Sequence, residues 1–269
     1  MVMNTNKPLK NGVKNNIMSK VAIILRGGVS KKNGKIKLNE FDTDYVNYNS
    51  VFLSIQRHIV DANSNFTFDF FIHSWSYPLE NELNNLYKPV AFEYEDNSNY
   101  HGIIIEKLRS CGVSDNVFST VSESLSISKS CQLFLDYSNN NSIDYEYVIL
   151  YRPDVLIWKD LLLSEYSKEI VYSSSFLKAN GDFHFVFEPK KIFGFIDLFD
   201  GLSIHNKPHP HESIKHHLTN KHHYQMSNDN IIGGLHQEVV RKLNLLEIDK
   251  EFLTEYGITL EEIKTYNPY

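Results

Sequence analysis

The sequence predicts an α/β fold, a single domain built on a central mixed, mostly parallel sheet flanked by helices, and three observations carry that expectation. Short continuous apolar runs such as Val21-Ala22-Ile23-Ile24-Leu25 and Tyr147-Val148-Ile149-Leu150-Tyr151 have the length and the β-branched and aromatic content of strands buried on both faces. Segments with apolar residues at helical spacing lie between such runs, long enough to act as crossovers. The two kinds alternate along the chain, which is the pattern of a parallel sheet rather than of a sandwich or a bundle. At 269 residues the chain can bury a core of that size.

Residues 1–19 are rich in Asn and Lys and are expected to form a disordered leader, with one domain over 20–269. The first strand, 21–25, breaks at Arg26-Gly27-Gly28, a tight loop. Tyr45, Tyr48, Phe52, Ile55 and Ile59 recur at steps of three and four after the capping candidates Thr43 and Asp44, and predict the first helix. Strands are expected at 66–73 and 89–94, with a helix over 78–87 between them. Thr120 and Glu123 fit a capping box for a helix whose apolar face is Ile127, Cys131, Phe134 and Leu135. The polar stretch 138–144 reads as the loop into the strand at 147–151. Beyond it, 170–172 and 183–187 read as strands, and 190–199 and 235–243 as helices.

A net charge of -6 and a pI near 6.1 argue against a surface built to hold nucleic acid, and a small anionic ligand fits better. Cys111 and Cys131 form no C-x-x-C, so neither a disulfide framework nor a thiolate zinc site is indicated, and a reducing compartment is expected. No apolar run approaches the ~18 residues of a membrane span. The expectation is a soluble, cytoplasmic protein without a transmembrane segment.

The residues that invite chemistry stand at strand ends. Pro153 lacks an N–H and stops the ladder at Arg152, so the strand delivers Arg152 and Asp154 to one sheet edge. In open α/β sheets ligands bind outside the carboxyl ends of the strands. Arg26, Gly27 and Gly28 would let the backbone approach a phosphate, and His73 and Trp75 end a second strand on the same edge. Lys129 is read as reaching a ligand phosphate, against the plainer reading of a solvated lysine. Asp182 follows a glycine and opens a strand, which suits a base or a hydroxyl-binding carboxylate as well as an ordinary turn residue. His236 and Glu238 follow Gly233-Gly234 at an expected helix start, where a first-turn carboxylate is the plainer reading. Seven of the 12 histidines fall between His205 and His223. The pairs His216-His217 and His222-His223 lack a Cys or clear carboxylate partner, and neighbours on a helix point apart, so a solvent-facing helix with incidental metal affinity is expected.

The order of these motifs resembles the GT-A-type nucleotide-sugar glycosyltransferases of surface-polysaccharide loci and large DNA viruses. The resemblance rests on Leu25-Arg26-Gly27-Gly28, Phe70-Phe71-Ile72-His73-Ser74-Trp75, Ser124-Leu125-Ser126-Ile127-Ser128-Lys129, Arg152-Pro153-Asp154, Asn180-Gly181-Asp182-Phe183-His184-Phe185 and His236-Gln237-Glu238. It covers roughly residues 20–243. It implies a GT-A fold with a Rossmann-like nucleotide-binding half and transfer of a sugar from a nucleoside-diphosphate donor to a glycan or glycoconjugate hydroxyl, as in polysaccharide biosynthesis. It further implies Mn²⁺ or Mg²⁺ on Asp154 and His236, donor contacts from Arg26, Gly27, Gly28, His73, Lys129 and Arg152, and a base at Glu238 or Asp182, with Glu238 preferred. The family's D-x-D pair is reduced here to Arg152-Pro153-Asp154, so Arg152 is an alternative source of positive charge. That missing carboxylate also keeps open a non-catalytic carbohydrate- or nucleotide-binding module.

Overall fold

The computed structural model describes residues 18–29, 45–113, 117–176, 179–203, 209–232 and 237–239. In chain order the elements are β1 (Ser19–Gly27), α1 (Tyr48–Ile55), β2 (Phe66–Ser74), α2 (Glu80–Tyr87), β3 (Ala91–Tyr94), α3 (His101–Ser110), α4 (Phe118–Asn141), β4 (Tyr145–Tyr151) and β5 (Val155–Ile157). Then follow β6 (Ile170–Phe176), β7 (Ala179–Phe187), α5 (Ile192–Ile196), α6 (Leu198–Gly201), α7 (Pro210–His216), β8 (Gln225–Asp229) and β9 (Gln237–Val239). Seven strands form one sheet in the order β3-β2-β1-β4-β7-β6-β8, and β5 pairs with β9 in a second, small sheet.

The half β3-β2-β1-β4 is parallel throughout, while β7 runs antiparallel to β4 and to β6. The reason lies in the connections. A parallel neighbour needs a crossover, and α1, α2 and the α3–α4 pair supply it; β6 and β7 are separated by only two residues in the chain and so run antiparallel. The sheet therefore matches the expected mixed, mostly parallel architecture. β1 alternates Val21, Ile23 and Leu25 toward one core with Ala22 and Ile24 toward the other, and all five are buried. Val51, Ile55, Ile59, Leu83 and Tyr87 of the α1 and α2 regions cover the first face; Ile104, Leu108, Val121, Ile127, Cys131 and Phe134 of α3 and α4 cover the second. A strand apolar on both faces is what a two-sided cover requires. Cys111 and Cys131 are both free and buried. Among the described residues no helix is long and apolar enough to cross a membrane.

Several boundaries differ from expectation. The first helix begins at Tyr48 with Asn47 as its cap, the Asn47 Oδ1 accepting from the Ser50 N–H at 3.1 Å; Thr43 and Asp44 lie outside the described residues. The stretch 138–144 is not all loop: α4 continues to Asn141 and ends in a left-handed Ser142, because its buried face fixes the helix and outweighs weak polar propensity. The expected capping box is absent. α4 starts at Phe118, which leaves Thr120 buried inside the first turns and frees Glu123 for another partner. The helix expected over 190–199 is broken at Asp197 between α5 and α6. Residues 237–239, expected helical, are a strand whose backbone pairs with β5, so tertiary pairing decides a segment too short for periodicity to settle. The leader 1–17, Gly233, Gly234, Leu235 and His236 lie outside the described residues.

Candidate functional site

β1, β2, β3 and β4 end at one edge of the sheet, and the connections lead to β2 on one side of β1 and to β4 on the other, so the crevice between β1 and β4 is a topological switch point. β7 enters from the opposite direction and brings its opening residues to the same edge: Tyr151 pairs with His184, and the Arg152 N–H donates to the Phe183 carbonyl at 3.1 Å. Arg26, Arg152, Asp154 and Asp182 are thereby gathered by the ends of β1 and β4, the first half of β7 and the turn at Pro153–Asp154.

The geometry is that of a crowded charge cluster. Arg152 donates to both oxygens of Asp154, from Nε at 3.0 Å and from a terminal nitrogen at 2.9 Å, and its other terminal nitrogen lies 3.3 Å from Asp182 Oδ2. Arg26 is 3% exposed; it donates to Glu123 Oε1 at 2.6 Å and to the backbone carbonyl of Asp182. Its Nε is buried and has no hydrogen-bond partner among the described residues. Burial first, then the negative Asp182, pushes the Glu123 carboxyl up to about 8 against the pull of Arg26 and Arg152. Burial would also raise Asp182, but Arg152 and then Arg26 outweigh it and hold that carboxyl down to about 2. The contact from Arg26 to Glu123 has the length of an ion pair; burial and Asp182 nevertheless outweigh it and raise the Glu123 carboxyl, which meets Asp182 in a side-chain hydrogen bond. Burial works against the charge on Arg152, yet Asp154 and Asp182 more than restore it.

One turn along α4 from Glu123 a second polar group begins. Gly27 has φ +88°, a left-handed turn that explains a glycine there, and its N–H donates to Ser126 Oγ at 2.8 Å. Ser126 Oγ lies 2.9 Å from Nδ1 of the fully buried His73, whose Nε2 lies 2.9 Å from Glu95 Oε2. Burial lowers the His73 pKa despite Glu95, so the ring is neutral. The partners then assign Nε2–H as donor to Glu95 and Nδ1 as acceptor from the Ser126 hydroxyl. Glu95 also takes Lys129 Nζ at 2.8 Å and the Tyr100 hydroxyl. Burial favours a neutral Glu95, but Lys129, Tyr100 and His73 together lower its pKa. Trp75 packs edge-on against His73 with ring centroids 4.6 Å apart.

A third group ties in the end of the described chain. Asp229 accepts from Tyr166 and from His184 at 2.7 Å each and from the N–H groups of Ile231 and Ile232, while His184 Nδ1 lies 2.9 Å from Gln237 Oε1. The strand that follows lies opposite β5, with Glu238 paired through its backbone to Leu156, just beyond Asp154.

Arg26, Arg152, Asp154 and Asp182, expected at one site, are brought together. Gly27, His73 and Lys129 stand on the same edge but belong to the second group, Lys129 being paired to Glu95. Glu123, Ser126 and Glu95 were missed. Glu123 carried a capping signature that hid it; a serine-rich helix and a carboxylate just past an expected strand were the signals for the other two. Among the described residues, two groups of His and carboxylate side chains converge closely enough to hold a metal, His73 with Glu93 and Glu95, and Asp197 with His217 and His222. Neither includes Asp154. No protein-family model matches this chain, and no curated protein matches its sequence.

Proposed function

We propose that the chain is a GT-A-type glycosyltransferase that moves a sugar from a nucleoside-diphosphate sugar to a hydroxyl of a glycan or glycoconjugate, the donor lying over the carboxyl ends of β1 and β4. The observation that carries this reading is the pairing of Arg152 with Asp182 at the switch point, a partly open guanidinium 3.3 Å from an ionised carboxylate. A leaving diphosphate develops negative charge, and the planar fork of Arg152 suits it. As Arg152 turns to the diphosphate, Asp182 loses its strongest counter-charge and becomes more basic. Asp182 then takes the proton of the acceptor hydroxyl while that oxygen bonds to the anomeric carbon and the bond to the diphosphate breaks. Protonated Glu123 holds Asp182 in place. Glu238 is the second candidate base, supported by the backbone pairing of its strand beside β5.

Mn²⁺ or Mg²⁺ on Asp154 and His236 is what the resemblance implies. Both oxygens of Asp154 lie on Arg152, and His236 is outside the described residues, so the described donors do not fit that ion. The same full engagement of Asp154 favours the rival reading, a non-catalytic carbohydrate- or nucleotide-binding module. Nucleotide release from a panel of nucleoside-diphosphate sugars, with EDTA or with added Mn²⁺, separates the readings. Turnover that survives EDTA is expected. Saturable binding without turnover would favour the module, and no saturable binding of any donor would remove the site.

A further inference from the structure

The adjacent histidine pairs do not behave as pairs. His216 and His223 are exposed, whereas His217 is buried and His222 half-buried, and both of these turn toward Asp197. α7 widens at His217–Lys221 into a π turn, whose i to i+5 bonding stacks residues five apart. The Nε2 atoms of His217 and His222 meet a single oxygen, Asp197 Oδ1, at 2.9 and 2.7 Å. Asp197 stands at the break between α5 and α6, and the Gly194 carbonyl lies 3.1 Å from His217 Nε2.

We infer that Asp197, His217 and His222 form a Zn²⁺ site, with two imidazole nitrogens and one carboxylate oxygen as protein ligands. This site shares no residue with the proposed donor site. Two imidazoles with a carboxylate are a donor set for borderline transition metals, whereas Mg²⁺ and Ca²⁺ take oxygens. The three ligand atoms lie within 4.8 Å of one another. Around a tetrahedral ion with bonds of ~2.0–2.1 Å such atoms stand ~3.3 Å apart, so the ring nitrogens need to open from Asp197 by only a few tenths of an ångström.

The surroundings fit a ligand. His217 Nδ1 is buried with no well-formed hydrogen bond among the described residues, and the backbone of Gly201 lies beside it. A metal on Nε2 moves the ring proton to Nδ1 and toward that backbone, the support metal-bound histidines ordinarily have. Gly194 and Gly201 keep the space open: a Cβ at Gly201 would come within 2.5 Å of His217 Cε1, and one at Gly194 within 3.3 Å of His222 Cγ. Lys221 Nζ, 2.5 Å from Asp197 Oδ2, holds the cation's place; its side chain is 51% exposed and free to swing into solvent.

Titration calorimetry of the full chain with ZnCl₂, and with MgCl₂ as the contrast, tests the site. One tight Zn²⁺ per chain is expected, with no comparable Mg²⁺ binding. Asp197→Ala, His217→Ala and His222→Ala should each weaken Zn²⁺ by at least the ~10–100-fold that loss of an outer partner costs, while His216→Ala and His223→Ala leave it unchanged. Loss of tight binding in the His216 or His223 variants, or its persistence in the other three, would overturn the site. Lys221→Met alters only an exposed side chain and keeps the test decisive if the others fold poorly. It should raise Zn²⁺ affinity severalfold, and an unchanged affinity would contradict the inference.

Discussion

Glu123 and Ser126 stand one turn apart on α4, yet they serve polar groups of opposite character. Around Ser126 every donor is met: Gly27 N–H by Ser126, Ser126 by His73, and His73 and Lys129 together by Glu95 Oε2. Around Glu123 three carboxyl groups share two guanidiniums, the Glu123 carboxyl is pushed up to about 8, and Arg26 Nε is buried without a partner among the described residues. A fully satisfied network specifies structure, whereas carboxyls whose pKa values are driven apart are the mark of a site arranged for acid–base work. On one helix, then, a satisfied polar network stands beside the proposed working site.

Substitutions at the two groups should therefore fail differently. The largest effect is expected for Asp182→Asn, which removes the proton acceptor and should lower transfer by ~10²–10⁴-fold with donor affinity nearly unchanged. Glu238→Gln sharpens the assignment in the same assay. If the large loss appears there and Asp182→Asn keeps its turnover, the base is Glu238. Next is Arg152→Lys, which keeps the charge and loses the fork; donor affinity should drop by roughly tenfold or more in a binding titration. Ser126→Ala belongs to the other class. It strips a partner from a buried N–H and from His73, so denaturant unfolding should show a loss of about 1–3 kcal/mol with turnover at saturation retained.

The group around Glu123 carries a pH dependence. The Glu123 carboxyl is raised in the folded chain from its ordinary 4.5 to about 8, so the folded state holds a proton that the unfolded state releases. Its stabilising contribution is complete below about pH 4.5 and is lost as pH rises toward 8. Glu123→Gln should flatten that decline in unfolding measured across the same window, and an unaltered slope would place the proton elsewhere.

Sheet architecture was legible because β1 and β4 are apolar on both faces, the pattern of a strand covered on both sides. Arg152 and Asp154 were legible because Pro153 announces a strand end. Glu123 was not, since Thr120 with Glu123 is as good a capping box in sequence as any real one; only the start of α4 a turn earlier reveals the buried role. The β9 strand was hidden for a related reason: Gln237 to Val239 is too short for periodicity to decide, and its partner β5 lies far away in sequence. Asp197 shows the same limit, because the carboxylate that completes the inward histidines comes from the break between α5 and α6.

The most direct test of the contrast is nucleotide release at saturating donor by Asp182→Asn and Ser126→Ala beside the unaltered chain. The account predicts a loss of ~10²–10⁴-fold for Asp182→Asn and near-normal turnover for the folded fraction of Ser126→Ala. Equal losses in the two variants, or full turnover in both Asp182→Asn and the double variant Asp182→Asn with Glu238→Gln, would contradict it.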